Sequence, residues 1–228
     1  VHGVLVLLAA DDGRVSDVTL RAAYATGAPQ IATVDAGARI AAAADGLTTL
    51  NVKLDSLAAQ IPVQVTRFAE KPVPSFKQDV LPILTRSGCN MGGCHGKLAG
   101  QNGFRLSLRG YAPDWDHEWL TREVNARRVD FAFPEESLML TKPSGILPHE
   151  GGVRFRPDSR AYTVLRDWIK ARAPAPIPDE MDAASLEILP GDRMMAPGET
   201  RQLLVRAIYA DGRVRDVTWL AQFFSNDP

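Results

Sequence analysis

The chain has 228 residues, of which 45% are hydrophobic and 23% are charged, a composition typical of globular proteins with roughly one to three domains. The formal net charge of −1 at pH 7 argues against the basic surface that nucleic acids attract, so we expect no nucleic-acid partner. No apolar run approaches the roughly 20 residues of a membrane-spanning helix, and the chain opens without the basic segment of a signal peptide.

An eight-residue motif occurs twice, near the two ends of the chain. Residues 12–19 read DGRVSDVT and residues 211–218 read DGRVRDVT, so seven of the eight positions are identical. Each copy follows a run of alternating apolar residues. The Asp-Gly pair in each copy is a hairpin signal, because glycine readily adopts the left-handed turn conformation. A repeat of this length indicates a repeated structural module.

Short apolar segments separated by turn signals surround both copies and predict β-sandwich domains. The predicted strands are Val4–Ala10, Ile31–Val34, Ala38–Ala43, Leu47–Leu54 and Ile61–Thr66 around the first copy, and Leu186–Leu189 and Leu203–Ala210 around the second.

This pattern resembles the bacterial Ig-like domains of group 2. The matching residues are Asp12, Gly13, Asp17, Val18, Thr19, Val34, Asp35, Gly37, Ala43 and Gly46 in the first copy, and Asp211, Gly212, Asp216, Val217 and Thr218 in the second. The resemblance implies two β domains, at 1–67 and 184–228, that serve adhesion or spacing and contact cell-surface components or polysaccharides. The first lacks its opening strand and the second stops early, so we expect the chain to be part of a longer protein.

The middle of the chain is predicted to be helical. Ser75 is suited to cap a helix that runs to about Ser87, and apolar residues such as Phe76 recur at helical spacing along it. Pro82 should kink this helix. A second helix is predicted to start at Asp158 or Ser159 and to end near Arg172.

Both cysteines lie in residues 87–96, which read SGCNMGGCHG. Two thiols followed at once by a histidine is the arrangement that attaches haem covalently. Each thiol adds to a vinyl group of the porphyrin, and His95 would then bind the iron from below. The usual spacing is C-x-x-C-H, whereas four residues separate Cys89 from Cys94. Two of these four are glycines, which give a longer loop the backbone freedom that it needs.

Other interpretations of the same residues remain open. Cys89 and Cys94 could form a local disulfide, which is sterically feasible across four residues. They could also remain free thiols or bind a metal ion. A structural zinc site is disfavoured, because Cys89, Cys94 and His95 supply three ligands and no second half-site accompanies them.

A six-coordinate haem needs a second axial ligand. His149, in the segment LPHEGG, is the preferred candidate, and Met139 or an open position are the alternatives. Two imidazole ligands leave no vacant site for a substrate and predict a redox potential well below that of a His/Met pair. His117 is expected at the surface, and its acidic neighbours Asp114 and Asp116 are expected in a solvated loop.

The segment from Phe76 to Pro174 resembles the cytochrome c-like domains of planctomycete-type surface proteins. The matching motifs are F-K-x-D-V-x-P-I-L at 76–84, G-C-N-x-G-x-C-H-G at 88–96, G-F-R-L-S-L-R-G at 103–110, P-H-E-G-G at 148–152 and R-D-W-I at 166–169. The resemblance implies an all-α, class I cytochrome c-like domain over 75–175 that carries one covalently attached haem c. In such domains the first and last helices cross beside the haem, and we place Phe76 and Trp168 at that crossing.

Haem propionates need cationic partners, which arginine supplies well. Arg109 and Arg154 are the preferred candidates, because each lies in one of the family-like stretches. The other arginines that could serve are Arg105, Arg127, Arg128 and Arg156.

Together these patterns predict a multidomain protein with an all-α haem domain between two partial all-β sandwiches. Its predicted function is that of a c-type cytochrome module, which binds haem at Cys89, Cys94, His95 and His149 and passes electrons to an unidentified redox partner protein. We expect an electron carrier rather than an enzyme, located outside the cytoplasm in the periplasm or at the cell surface. The alternative is a haem-free adhesion or carbohydrate-binding protein with a Cys89–Cys94 disulfide.

Overall fold

A computed structural model describes residues 2–70, 72–192 and 194–225 of the chain. Contacts divide it into two compact units. The first unit combines the described residues up to 70 with Ala183–Trp219. The second unit contains the described residues from Pro72 to Asp182 and those from Leu220 onward. Residues 226–228 of the predicted last domain lie outside the described residues.

The first unit consists of antiparallel sheets. Three of its sheets have three strands, in the orders β1-β6-β5, β4-β7-β8 and β11-β10-β9, and the fourth pairs β2 with β3. The strands are β1 (His2–Gly3), β2 (Leu7–Ala9), β3 (Val15–Asp17), β4 (Ala23–Thr26), β5 (Ala32–Val34), β6 (Arg39–Ala42), β7 (Gly46–Leu54), β8 (Leu57–Val65), β9 (Ala183–Leu189), β10 (Leu204–Tyr209) and β11 (Val214–Asp216).

The longest pairing joins β7 and β8 in a hairpin whose register runs from Leu54 opposite Leu57 to Gly46 opposite Val65. Only two residues connect the strands, and Asp55 adopts a φ of +51°. A two-residue turn with left-handed backbone matches the twist of the flanking strands. β8 therefore begins at Leu57, four residues earlier than the sequence predicts.

The two copies of the repeat form the same hairpin. The carboxylate of Asp12 accepts hydrogen bonds from the backbone N–H of Arg14 at 3.0 Å and from its Nε at 2.6 Å. Asp211 accepts the equivalent bonds from Arg213 at 3.1 Å and 2.6 Å. These contacts span two residues, so identical sequences form them independently of the remainder of the fold.

Each repeat then closes onto its preceding strand through a threonine. Thr19 Oγ1 accepts a hydrogen bond from the N–H of Val6 at 2.9 Å. In the second copy, Thr218 Oγ1 accepts from the N–H of Val205 at 2.8 Å. The sequence repeat therefore corresponds to a structural repeat, down to individual hydrogen bonds.

The two copies also bind each other through reciprocal hydrogen bonds. The carboxylate of Asp17, in the first copy, accepts from the N–H of Gln202 at 2.8 Å. The carboxylate of Asp216, in the second copy, accepts from the N–H of Gly3 at 2.7 Å. Asp17 and Asp216 occupy the same position in their repeats, as do Gly3 and Gln202. The pairing of the two copies is therefore pseudo-symmetric within the first unit.

Both carboxyl groups are ionised in this arrangement. Burial by itself would raise the pKa of Asp17 and Asp216, but the hydrogen bonds that they accept outweigh it and hold each pKa below its ordinary value. A depressed pKa in the folded state stabilises the fold above the ordinary value of 3.8, and this contribution is lost as the pH falls through the depressed pKa.

The second unit is built from short helices and long irregular segments. A π-helical turn, Phe76–Val80, precedes the first α-helix, and 3₁₀ turns occur at Leu108–Gly110 and Pro134–Glu136. The α-helices are α1 (Leu81–Arg86), α2 (Pro113–Thr121), α3 (Glu123–Ala126), α4 (Leu138–Thr141) and α5 (Arg160–Lys170). Among the described residues, no helix is both long enough and apolar enough to cross a membrane.

Local capping explains where the first and last helical segments begin. Ser75 accepts a hydrogen bond from the N–H of Gln78 at 3.0 Å, and Ser159 accepts one from Tyr162 at 3.2 Å. Both serines satisfy backbone donors that a helix start leaves unpaired. Pro82 lies in the first turn of α1, where its missing N–H costs nothing.

An aromatic cluster forms the centre of the second unit. The rings of Phe76 and Trp168 pack with their centroids 5.5 Å apart, as the sequence predicts. His117 packs edge-on against both rings, at 5.2 Å and 5.9 Å, and its Nε2 donates to the carbonyl of Ala173 at 2.8 Å. His117 is therefore half-buried against these two rings rather than free at the surface. Each fully buried side chain of this size contributes about 1.5–3 kcal/mol.

The two ends of this unit are joined. Lys77 Nζ lies 2.9 Å from a carboxylate oxygen of Asp182 and donates to the carbonyl of Glu180 at 3.1 Å. Gln78 Nε2 donates to the carbonyl of Met181 at 3.1 Å. The segment Pro72–Asp182 therefore begins and ends at one place, and the chain returns to the unit at Leu220.

The predicted fold class is wrong. The structure is mostly β, with its strands in four small sheets and helix in only 20% of the chain, and no all-α class I cytochrome c domain is present in its described part. The cause lies in residues 87–112, which follow the first predicted helix. Gly88, Gly100, Gly103 and Gly110 all have positive φ there, and this conformation cannot continue a helix.

Replacing both reciprocal carboxylates, in an Asp17→Ala, Asp216→Ala variant, should open the contact between the repeats. Alanine offers no acceptor to the N–H of Gln202 or Gly3, so we expect a loss of about 1–3 kcal/mol for each bond. Hydrogen exchange at the Gly3 and Gln202 amides measures the change. The matched control, Asp12→Ala with Asp211→Ala, removes only contacts within each repeat, and it should leave exchange at these amides unchanged. Equal effects of the two variants would contradict this account.

Candidate functional site

The segment that contains both cysteines is an ordered loop. α1 ends at Arg86, and Gly88, with a φ of +78°, turns the chain away from the helix. The N–H of Cys89 still donates to the carbonyl of Leu84 at 2.9 Å. The N–H of His95 then donates back to the carbonyl of Cys89 at 3.0 Å. The loop is therefore closed, and its first cysteine and its histidine are joined through the backbone.

The four-residue spacer folds inside this closed loop. The N–H groups of Cys94 and Gly96 donate to the carbonyl of Met91 at 2.9 Å and 3.1 Å. Asn90 is fully buried, and its Nδ2 donates to Thr85 Oγ1 at 2.8 Å. A Cβ atom at Gly96 would collide with the carbonyl group of Asn90, so this position requires glycine. The spacer is thus a fixed turn anchored to α1.

The two thiols are free and differ in their surroundings. Cys89 is buried, whereas Cys94 is partly exposed. Burial raises the pKa of Cys89 from 9.0 to about 11, with Arg154 lowering it and Cys94 raising it by smaller amounts. Nη2 of Arg154 donates to the sulfur of Cys94 at 3.7 Å. Cys89 is therefore a neutral thiol at physiological pH, and the two cysteines do not form a disulfide in this structure.

His95 is held in one tautomer. Its Nδ1 lies 3.1 Å from the carbonyl oxygen of Phe104, and the two rings pack with centroids 4.4 Å apart. A carbonyl oxygen can only accept, so Nδ1 carries the proton and Nε2 keeps its lone pair. Burial lowers the pKa of His95, the Phe104 bond opposes this, and nearby charges including His149 lower it further. The imidazole is therefore a neutral donor of an electron pair.

His149 has the same tautomer and lies beside Arg154. Its Nδ1 donates to the carbonyl of Gly152 at 2.9 Å, which leaves the lone pair on Nε2. A Cβ atom built on Gly151 would lie 2.9 Å from the His149 ring and 3.2 Å from the Arg154 guanidinium. Because His149 acts electrostatically on His95, and Arg154 contacts Cys94, the structure brings these four predicted residues together.

Arg109 is placed differently. Its backbone supports the loop, because its N–H donates to the carbonyl of Asn90 at 3.0 Å. The residue itself lines a separate cavity of about 310 Å³, together with Lys77 and Leu220. Met139, the alternative axial ligand, is buried in α4, where its N–H donates to the carbonyl of Arg128 at 3.0 Å.

Arg128 supports the candidate site in a way that the sequence does not reveal. Its guanidinium lies 4.4 Å from the centre of the Phe104 ring, and it donates to three backbone carbonyls, those of Gly103, Trp119 and Glu123. It therefore fixes the segment whose carbonyl orients His95. No sequence motif marks this role, since all three acceptors are main-chain atoms.

The structure contradicts the expectation that Asp116 lies in a solvated loop. It lies in α2 with no exposed surface, rather than in a solvated loop. Its two carboxylate oxygens accept from the N–H and the hydroxyl of Ser107, at 2.5 Å and 2.7 Å. Burial raises the pKa of Asp116 above its ordinary value, and the two bonds from Ser107 oppose this shift. Its neighbour Asp114 is exposed, as expected.

Comparison with known proteins gives no family. No family model, no curated protein and no solved structure matches the chain. In the part of the chain that the structure describes, no group of three or more His, Cys, Asp or Glu side chains could hold a metal ion. The predicted assignment to planctomycete-type cytochrome c-like domains with flanking Ig-like domains is therefore wrong, since the regular structure is mostly β and its two cysteines lie outside a recognised haem-motif arrangement.

Alkylation should distinguish the two cysteines. At pH 8, a thiol with a pKa of about 11 has roughly one thiolate per thousand molecules, and only the thiolate reacts. We expect iodoacetamide to modify Cys94 in the native chain while Cys89 stays unmodified, as measured by peptide mass spectrometry. The chain unfolded in urea is the control and should react at both positions. Equal rates in the native chain would show that Cys89 is not buried as described.

Substitution of Asp116 should destabilise the second unit. Asp116→Ala leaves the N–H and hydroxyl of Ser107 without an acceptor, at a cost of about 1–3 kcal/mol for each buried group. Asp116→Asn retains one acceptor and removes the buried charge, so it should cost less. The exposed Asp114→Ala is the control, with an effect within about 0.5 kcal/mol. Urea unfolding followed by tryptophan fluorescence measures all three, and an equal effect of Asp114→Ala would contradict the assignment.

Proposed function

We propose that the closed loop from Cys89 to His95 attaches one haem c covalently, and that the chain serves as an electron-transfer module of an extracytoplasmic protein. One observation carries the proposal. Two free thiols lie in a loop that also fixes a neutral imidazole, with its proton on Nδ1 and its lone pair on Nε2. The proposal concerns the chemistry of this loop and does not depend on the fold of a known cytochrome.

The donor set fits covalent attachment. A thiol adds across a vinyl C=C bond, so that sulfur bonds to one carbon and the thiol hydrogen is transferred to the other. The addition needs no oxidant or reductant. The fixed spacer turn holds Cys89 and Cys94 on the same loop. Cys94 is partly exposed, whereas Cys89 is buried, so attachment at Cys89 would require the loop to open and uncover its sulfur.

The imidazole of His95 fits the role of an axial ligand. A metal-binding histidine usually donates its other N–H to a backbone carbonyl, which fixes the ring and raises its basicity. Phe104 supplies that carbonyl at 3.1 Å. Because the pKa of His95 is lowered by burial, the ring stays neutral over a wider pH range than a free histidine.

His149 and Arg154 extend the site. His149 presents a second imidazole, whose Nδ1 is directed at the carbonyl of Gly152, and it is the proposed second ligand. Arg154 makes no ion pair with the described residues, so its guanidinium can pair with a propionate carboxylate. When bound, haem supplies an iron that gains and loses one electron at a time. It needs at most two protein ligands, so the missing three-residue metal cluster does not bear on this proposal.

Thioether attachment of haem is a reason to place the chain outside the cytoplasm, and an electron carrier needs a redox partner protein. The extracytoplasmic location and the redox partner protein are both parts of the proposal. Surface contacts of the β repeats with cell-surface components or polysaccharides are proposed on the same basis.

Production of the chain in a haem-maturing host tests the proposal. We expect one haem per chain by pyridine haemochrome spectroscopy, and a mass increase of one haem that survives acid–acetone extraction. Cys89→Ala with Cys94→Ala should abolish covalent attachment, whereas the control His2→Ala should retain it. A chain that is two hydrogens lighter, without haem, would reveal a Cys89–Cys94 disulfide and favour the haem-free binding protein.

The second ligand can be tested separately. His149→Met should raise the redox potential, because a thioether ligand favours reduced iron more than imidazole does. A potential that is unchanged in His149→Met, or strongly positive in the natural chain, would exclude His149 as ligand and leave covalent attachment intact.

A further inference from the structure

A cleft of about 250 Å³ lies along the segment that follows His95. It is bounded by residues 96–98, 105–108 and α2. Its charged and aromatic lining residues are Lys97, Arg105, Tyr111, Trp115, Asp116 and Trp119. All of them belong to the second unit, and none is used by the proposed haem attachment.

The cleft exposes aromatic rings to solvent. Tyr111 is 74% exposed and Trp115 is 59% exposed, although both are large apolar side chains. Trp119 lies deeper, and the guanidinium of Arg105 sits 4.3 Å from the centre of its ring. Exposed aromatic faces in a concave site are suited to stack on a flat ligand, because they bury much area with few rotatable bonds.

The charges in the cleft favour an anion. Neither Lys97 nor Arg105 forms an ion pair with any residue in the described ranges. The carboxyl group of Asp116 is fully buried, and both of its oxygens are taken by Ser107. It therefore forms part of the wall rather than a partner for the two cations. When a guanidinium group stacks on an aromatic ring, the N–H groups at the edge of the guanidinium remain available to bind a carboxylate.

We propose that this cleft binds one sugar ring bearing a carboxylate, such as a uronic acid residue of an acidic polysaccharide. The C–H face of the ring would stack on Trp115, and its carboxylate would pair with Arg105 and Lys97. The volume suits a single ring, since pockets for drug-sized ligands measure about 300–1,000 Å³. The proposal is independent of haem attachment.

Titration of the full chain with galacturonic acid and its trimer tests this site. We expect saturable quenching of tryptophan fluorescence, with binding at least tenfold tighter than that of neutral galactose and weaker at high salt. Trp115→Ala and Arg105→Ala should each weaken binding at least tenfold. Phe133→Ala, which removes an aromatic ring that is 62% exposed outside the cleft, is the matched control and should bind normally.

Four outcomes would overturn the proposal. The first three are the absence of saturable quenching by either acidic ligand, equal binding of galactose, and unchanged binding in the Trp115→Ala variant. The fourth is binding of benzoate as tight as that of galacturonic acid, which would show that the cleft accepts aromatic anions instead of sugar acids. Circular dichroism of each variant ensures that lost binding does not reflect unfolding.

Discussion

The hydrogen bond from His95 Nδ1 to the carbonyl of Phe104 is the constraint on which the candidate site depends. It selects the tautomer, and with it the nitrogen that can bind a ligand. The carbonyl of His95 in turn accepts the N–H of Leu106 at 2.8 Å, so the two segments are paired in both directions. Arg128 fixes the Phe104 segment from the other side. A rigid ligand geometry thus arises from backbone groups in a region without regular secondary structure.

The parts of the structure that could be predicted from the sequence are those formed by neighbouring residues. The hairpin of each repeat depends on Asp and Arg two positions apart, and the caps at Ser75 and Ser159 depend on an N–H three positions away. The mutual binding of the repeats could not be predicted, because it joins Asp17 to the backbone of Gln202. Every residue except proline has a backbone N–H, so the sequence does not indicate which of them binds a given carboxylate.

In the candidate site, too, contacts between sequence neighbours could be predicted and contacts between distant residues could not. The two cysteines and His95 lie close together in sequence, so their shared loop could be predicted. The contact of Trp168 with Phe76 is also present, although it was expected from a resemblance whose fold is wrong. The role of Arg128 and the burial of Asp116 could not be predicted from the sequence, because both depend on main-chain or hydroxyl partners that are not sequence neighbours. The helical fold was overestimated because glycines with positive φ occupy the segments between the apolar runs.

The joining of the two ends of Pro72–Asp182 has a mechanical consequence. Lys77 and Gln78 bind the chain at residues 180–182, at the far end of that segment. Tension applied between the two ends of the segment would therefore load these bonds before it reaches the cysteine loop. The bonds would have to break before such tension could distort the geometry around His95.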